Sequence, residues 1–322
     1  APVLLGGGLD RVHLGRARLL RCVRERFAHD RVAGLDDVVL ERLQITTRPD
    51  GGGEAPPGGE VAHQPDERGL VGRRSLLRHL EQHGADVAKA LNLSIPRLRW
   101  LAFHSEAATV THYVRFQVPK KSGGLRELSA PHRDLSVAQQ WILMHILEKI
   151  PAHDAAHGFV PGRGTMSNAV PHVGRAAVVN LDLKDFFPSI TFPRVKGIFQ
   201  ELGFSPATAT ILALLCTECP RRMVEFNGRT LQVATGPRAL PQGACTSPAL
   251  SNLLARRLDA RLRGLAVKLS FTYTRYADDL TFSGPAEAAA KTGYLLARVR
   301  HIVAGESLTV NEDKTRVQRP GM

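Results

Sequence analysis

Between residues 270 and 284 polar and apolar positions alternate. Phe271, Tyr273 and Arg275 take turns with Thr272, Thr274 and Tyr276, and a period of two predicts a half-buried strand. A second run, Leu280 to Phe282, follows at once, so the pattern closes into a hairpin with Asp278 and Asp279 at its tip. An earlier hairpin is predicted over residues 111–131. There Tyr113, Arg115 and Gln117 alternate with Val114, Phe116 and Val118, Lys-Lys-Ser-Gly-Gly turns the chain, and Leu125 to Pro131 runs back. Residues 175–190 carry an apolar strand interrupted by Asp182, and residues 307–317 hold another short strand followed by Asn311 and Lys314.

Helical periodicity fills most of the remainder. Residues 1 to about 47 carry helical runs, and the period returns after residue 70 with Leu76, Leu77, Leu80, Val87 and Leu91 as core positions. Residues 134–150 predict a helix with Asp134 as its N-cap. Residues 241–263 read as a glycine-bearing loop leading into one amphipathic helix. Residues 46–69 are rich in Gly and Pro with almost no large apolar side chain, the composition of a flexible linker.

Length and composition bound the class. A chain of 322 residues with 43% hydrophobic content can hold two domains or one large one with lobes. It has no apolar run of 18 residues, and its first twenty residues lack a signal peptide's layout. The expectation is a soluble, cytoplasmic protein with no membrane partner. Of Cys22, Cys216, Cys219 and Cys245, two form a single CxxC without a second pair at finger-like spacing, which favours buried thiols over zinc, and nothing in the spacing suggests a disulfide framework. The net charge of +13 changes the picture most, because a soluble chain so basic implies a polyanionic partner, most commonly nucleic acid.

That charge makes the acidic pair more informative. Asp is common in turns, but this tip hangs from aromatic and β-branched runs. Two ionised carboxylates about 4 Å apart repel by ~4 kcal/mol at an effective dielectric near 20, and a divalent cation would turn that cost into affinity. Asp182 is expensive to bury in its apolar strand unless something neutralises it, which makes it the natural third ligand beside Asp278 and Asp279.

An apolar strand with one Asp, a Pro-Gln-Gly loop before a helix, and an aromatic hairpin with Tyr-x-Asp-Asp, in that order, resembles the palm of reverse transcriptases. The resemblance covers roughly residues 110–320 and is far more specific than any one motif. Within that superfamily the chain looks most like bacterial retron reverse transcriptases. Residues 157–172 resemble the retron segment upstream of the first catalytic strand, with Asn168, Ala169 and His172 fitting its NAxxH signature, and YADD, LPQGACTSP and NEDKTRV are also retron-like. The resemblance implies an α+β right-hand polymerase: fingers of helices and a basic hairpin, and an antiparallel palm sheet flanked by helices. The family's later VTG signature is not found, because the chain stops at residues 319–322 where a thumb would begin, so the thumb is expected to be missing or truncated. The implied domains are an N-terminal extension and linker (1–69), fingers (70–180) and palm (181–322), with 195–230 shared in part with the fingers.

The same resemblance implies two Mg²⁺ ions, bridged by Asp182 and Asp278 with help from the Leu183 carbonyl. Successive strand residues face opposite ways, so Asp279 is expected to ligate less directly than Asp278. Arg126, Lys120 and Lys121 resemble the cations that clamp a deoxynucleoside triphosphate. Phe187 stands where the family places the ring that crowds a ribose 2′-hydroxyl, with Phe186 the core neighbour. Gln242 is expected near the incoming nucleotide, with Gly243 permitting close backbone approach, and Tyr276 beside the primer end. Lys314 resembles a lysine proposed to protonate the leaving pyrophosphate. Arg163, Asn168 and His172 are assigned to primer-template and RNA contacts by resemblance.

Retron enzymes recognise a folded non-coding RNA, prime from a guanosine 2′-hydroxyl in it, copy part of it into a branched RNA-DNA molecule, and act with a linked effector protein against phage. The competing readings are a group II intron or diversity-generating reverse transcriptase, and a non-catalytic RNA-binding protein on a degenerate polymerase scaffold. The intact Asp182, Asp278 and Asp279 argue against the scaffold, since unpaired buried charges are costly to keep.

Overall fold

In the computed structural model, residues 84–103, 105–119 and 123–319 are described, all within one compact unit. The expected N-terminal helices, the linker, and the core positions Leu76, Leu77 and Leu80 lie outside these residues; Val87 and Leu91 are buried as expected. Ser94 caps helix α1 (Ile95–Ala102) by accepting from the Arg97 amide, and Pro96 occupies its first turn, where a missing N–H costs nothing. A two-residue strand β1 (Ala107–Ala108) precedes the first hairpin, β2 (Tyr113–Pro119) and β3 (Leu125–Pro131), which pair antiparallel from Tyr113 opposite Pro131 to Pro119 opposite Leu125.

Helix α2 spans Arg133–His145, with His132 at its N-cap. Asp134 is therefore not the cap but lies inside the first turn, where it pairs with Arg97 of α1. The His132 amide donates to the His112 carbonyl at 2.8 Å, so the chain enters the helix already anchored, and an acid in the first turn still suits the helix dipole. A short 3₁₀ turn, Leu147–Lys149, follows where the sequence suggested a continuous helix.

After the short helix α3 (Thr165–Ala169) comes β4 (Ala177–Leu183), then α4 (Phe192–Glu201), the almost wholly apolar α5 (Pro206–Cys216), and a second hairpin of β5 (Arg221–Phe226) and β6 (Arg229–Ala234). β6 also pairs with β1, making a three-stranded antiparallel sheet. Residues 241–263 depart from expectation: instead of one helix there are two, α6 (Thr246–Leu254) and α7 (Arg256–Leu269), meeting at the fully buried Ala255. Ala255 has ψ −4°, away from the helical value, and this interrupts the regular helix there.

Ser270, with φ +67°, caps α7 in the left-handed region and turns the chain into β7 (Thr272–Tyr276), which pairs with β8 (Asp279–Gly284). A one-turn helix α8 (Ala286–Ala289), helix α9 (Thr292–Gly305) and β9 (Val310–Gln318) complete the chain. The main sheet has the order β7-β8-β4-β9, every neighbour antiparallel. Both α7 and α3 contact β7, so the strand buries Tyr273, Thr274 and Arg275 in succession rather than one face alone. The architecture is α+β, with antiparallel sheets and helices around one core. No described helix is long and apolar enough to cross a membrane.

Candidate active site

Sheet register assembles the acidic site. Asp182, one residue from the end of β4, lies directly across from Asp279 on β8 and from Asn311 on β9. Asp278 sits in the two-residue turn between β7 and β8, and its carbonyl accepts from the Leu183 amide at 2.9 Å. All three carboxylates are thus fixed at one end of the sheet by main-chain pairing. The strand-parity argument does not separate the tip residues, because Asp278 belongs to the turn and not to the strand. Burial distinguishes them instead: Asp278 is half-buried, whereas Asp279 is exposed.

Asp182 is only 7% exposed, and its charge is balanced by neighbours on β9. Lys314 Nζ stands 3.0 Å from both carboxylate oxygens, and Asn311 Nδ2 donates to Oδ1 at 3.0 Å. Burial, and then the charge of Asp182, push the Asp278 carboxyl above its ordinary range. A backbone hydrogen bond and the cations Lys314 and Arg126 act in the opposite direction. This places the exposed Arg126, on β3, within electrostatic reach of the acidic cluster. Lys120 and Lys121 lie outside the described residues.

Converging hard oxygen donors with an unfavourably ionised member suit a divalent cation such as Mg²⁺. Among the described residues, no three His, Cys, Asp or Glu side chains already form a metal cage. Mg²⁺ is commonly held by one or two carboxylates with water and substrate phosphates making up the rest, so the donor set fits that mode.

Phe187 is half-buried beside the core residue Phe186, with ring centroids 5.8 Å apart. Its other ring neighbour, Phe159, was not singled out from sequence. Phe159 is 45% exposed, adopts φ +62°, and lies 6.3 Å from Phe187 between ring centroids. A large aromatic both exposed and in the left-handed region is unusual. The Phe-Val-Pro-Gly run after Gly158 was a turn signal that could have flagged it.

The Gln242–Gly243 loop packs against strand β3 of the β2–β3 hairpin. The Ser129 amide donates to the Gln242 carbonyl at 2.7 Å, and a Cβ on Gly243, at φ +127°, would stand 2.7 Å from the Ser129 carbonyl oxygen. The close approach that requires glycine is therefore to strand β3, where the sequence reading had placed the incoming nucleotide. Tyr276 is half-buried directly opposite Asp279.

Two residues assigned to RNA contact are engaged in bonds within the protein. His172 is 8% exposed, with Nδ1 2.6 Å from Ser283 Oγ and Nε2 2.8 Å from Thr274 Oγ1. Burial, reinforced by His157 and Arg175, lowers it to about 4, so the ring is neutral. It pins the segment before β4 to the sheet and leaves no ring nitrogen for RNA. Arg163 Nη1 donates to the carbonyls of His153, Asp154 and Ala156, tying down a loop. The Asn168 carbonyl accepts from Thr274 Oγ1 at 3.4 Å, and its buried Oδ1 has no hydrogen-bond partner. Cys216 is fully buried at the end of α5, where burial pushes its thiol up to about 12.

A family model described as reverse transcriptase (RNA-dependent DNA polymerase) matches residues 118–320. The chain belongs to the reverse transcriptase family. Its relatives there are retron enzymes of bacteria. It is 51% identical over 243 residues to the Retron Mx162 reverse transcriptase of Myxococcus xanthus, covering 73% of this chain and 50% of that protein. It is 50% identical over 240 residues to the Retron Mx65 reverse transcriptase of the same organism, covering 73% and 55%. It is 33% identical over 235 residues to the Retron Ec86 reverse transcriptase of Escherichia coli, covering 73% and 67%. The chain spans about half the length of the two Myxococcus relatives it matches.

Proposed function

We propose that this chain carries the polymerase site of a bacterial retron reverse transcriptase, an RNA-directed DNA polymerase working in the cytoplasm. The observation that carries the reading is the register that aligns Asp182 with Asp279 while the Leu183 amide holds Asp278 beside them, in a chain whose relatives are named retron reverse transcriptases. In this reading the β7-β8-β4-β9 sheet is the palm, within residues 181–322, and the β2–β3 hairpin with its surrounding helices is the fingers, within 70–180.

Two Mg²⁺ ions, held by Asp182, Asp278, Asp279 and the Leu183 carbonyl, would supply activation of the attacking hydroxyl and charge stabilisation at the triphosphate. The chain's own groups do the rest. Arg126, with Lys120 and Lys121, orients the deoxynucleoside triphosphate. Phe187 crowds the ribose 2′ position, and the Gln242–Gly243 loop fixes the hairpin against the palm. Lys314 offsets the Asp182 charge and donates a proton toward the departing pyrophosphate. Tyr276 flanks the primer end. His172 and Arg163 shape the segment that meets RNA from within, while Asn168 remains a candidate for contact.

The substrate is a cognate structured non-coding RNA, primed from a guanosine 2′-hydroxyl and copied into a branched RNA-DNA molecule, in phage defence with a linked effector protein. The test is the nucleic acid that co-purifies with the protein, treated separately with DNase, RNase and a debranching enzyme. Short DNA joined to RNA by a debranchable 2′-5′ bond, missing when Asp278 and Asp279 are Ala, supports the proposal. Linear RNA alone, with no DNA even when Mg²⁺ and deoxynucleotides are supplied, refutes branched priming.

A further inference from the structure

Beneath the Tyr-Ala-Asp-Asp turn lies a charged cluster that the catalytic reading does not use. Among the described residues Arg275 is the largest side chain with no exposure, and its partner Asp259 on α7 is equally inaccessible. Arg275 Nε donates to Asp259 Oδ1 at 2.8 Å and Nη2 to Oδ2 at 2.7 Å, a two-pronged pair, while the Tyr273 hydroxyl also donates to Oδ1 at 2.8 Å. One nitrogen of the fork is left over. Arg275 Nη1 donates to the Ala277 carbonyl, 3.0 Å away, inside the turn that carries Asp278.

That turn needs holding. Ala277 has φ +58°, and alanine has no polar side chain to compensate the left-handed conformation. Residues 155–158 run beside β7 as an extra edge, with Arg275 N donating to the Ala155 carbonyl and His157 N to the Arg275 carbonyl. Gly158 then lies so close that a Cβ there would stand 2.6 Å from the Ala277 amide nitrogen. Asn252 of α6 fixes Gly158 by donating to its carbonyl at 3.0 Å. The turn is clamped between a backbone wall and a guanidinium.

We propose that Arg275, oriented by Asp259, is a positioning residue that holds the Ala277 carbonyl and so sets where the Asp278 carboxylate stands. Buried ion pairs are weak evidence of stabilisation, since apolar residues of similar volume often replace them without loss. A bifurcated Arg that spends its third nitrogen on a strained catalytic turn has a geometric use that an apolar replacement cannot supply. A lysine cannot supply it either: its single nitrogen can satisfy Asp259 but lacks the planar fork that reaches both partners at once.

This inference rests on the polymerase reading, so its test carries one readout that is independent of DNA synthesis. The full chain is compared with Arg275→Lys and with the triple variant Tyr273→Phe, Asp259→Leu, Arg275→Met, which removes the whole buried polar cluster. Amide hydrogen exchange over residues 276–280, thermal melting and steady-state primer extension are measured on each. The expected result is faster exchange at the turn in both variants, with kcat reduced about 10²-fold, as sub-ångström to ångström misplacement does, and the nucleotide KM unchanged. Arg275→Lys loses only the few degrees of melting temperature expected for the hydrogen bonds it cannot make and stays folded at the assay temperature, which separates positioning from folding. Unchanged turn exchange with near-parental kcat in Arg275→Lys overturns the inference, because charge neutralisation would then suffice. Faster turn exchange in a protein whose parent makes no DNA upholds the clamp and refutes the polymerase reading.

Discussion

Replacing Gly243 by Ala tests whether the Pro-Gln-Gly loop is a joint between the hairpin and the acidic sheet. Two penalties combine at this position. Its φ of +127° is one that a residue with a Cβ rarely adopts, at roughly 1–3 kcal/mol. The new Cβ would also stand 2.7 Å from the Ser129 oxygen and 3.2 Å from its carbonyl carbon, both backbone atoms that cannot rotate away. Relief requires β3 to withdraw, which breaks the Ser129 amide bond to the Gln242 carbonyl, worth about 1 kcal/mol. The sum is about 2–4 kcal/mol, or roughly 5–10 °C in melting temperature for a domain of this size. Withdrawal of β3 also moves Arg126, three residues before Ser129, so the nucleotide KM rises. Gly174→Ala is the control, since Gly174 has φ +71° with open space around it and bears the conformational penalty alone. Both variants are compared by thermal melting and primer extension. Equal melting temperatures and an unchanged nucleotide KM for Gly243→Ala refute the joint.

Asp278→Asn removes a carboxylate whose ionisation is disfavoured by burial and by Asp182. Without divalent metal it should melt higher than the parent, by an increment on the order of 1 kcal/mol, while losing DNA synthesis; a lower melting temperature counts against the electrostatic account. His172 has a folded value of about 4 against an ordinary 6.5. Its contribution is intact above pH 6.5 and is lost as pH falls toward 4, because the unfolded chain takes up the proton first, up to about 3 kcal/mol. Urea midpoints between pH 7.5 and 4.5 should fall in the parent and fall less steeply in His172→Gln. Phe187→Ala should raise ribonucleotide incorporation relative to deoxynucleotide, read by competition in primer extension, and an unchanged ratio argues that the ring is core packing only.

The carboxylates were legible because a charge inside an apolar strand and a pair at a hairpin tip are each expensive without a purpose. The β2–β3 and β7–β8 hairpins followed from alternation and turn residues, whereas the β5–β6 hairpin was not read from the sequence. Arg275 was not legible: in the strand pattern it occupies an ordinary alternating position, and its partner Asp259 sits on a different element whose inward face is set only when α7 packs on β7. The break at Ala255 was not legible because alanine is a good helix former and carries no local stop signal. Asp134 resembled a cap by residue type, but the chain was already anchored two residues earlier, where the His132 amide donates to the His112 carbonyl. His172 was placed at RNA by motif, whereas the Thr274 and Ser283 hydroxyls that hold it come from strands over a hundred residues away.

In the proposed function, Asp182, Asp278 and Asp279 form the site of RNA-templated DNA synthesis. The most direct measurement is incorporation of labelled deoxynucleotides on an RNA template with and without Mg²⁺, for the parent and for Asp278→Ala/Asp279→Ala, with RNA binding followed in parallel. Template-dependent DNA is expected from the parent only when Mg²⁺ is present, with none from the double variant and equal RNA binding by both. Incorporation that survives in the double variant, or RNA binding by a parent that makes no DNA under any divalent cation, contradicts the proposed function.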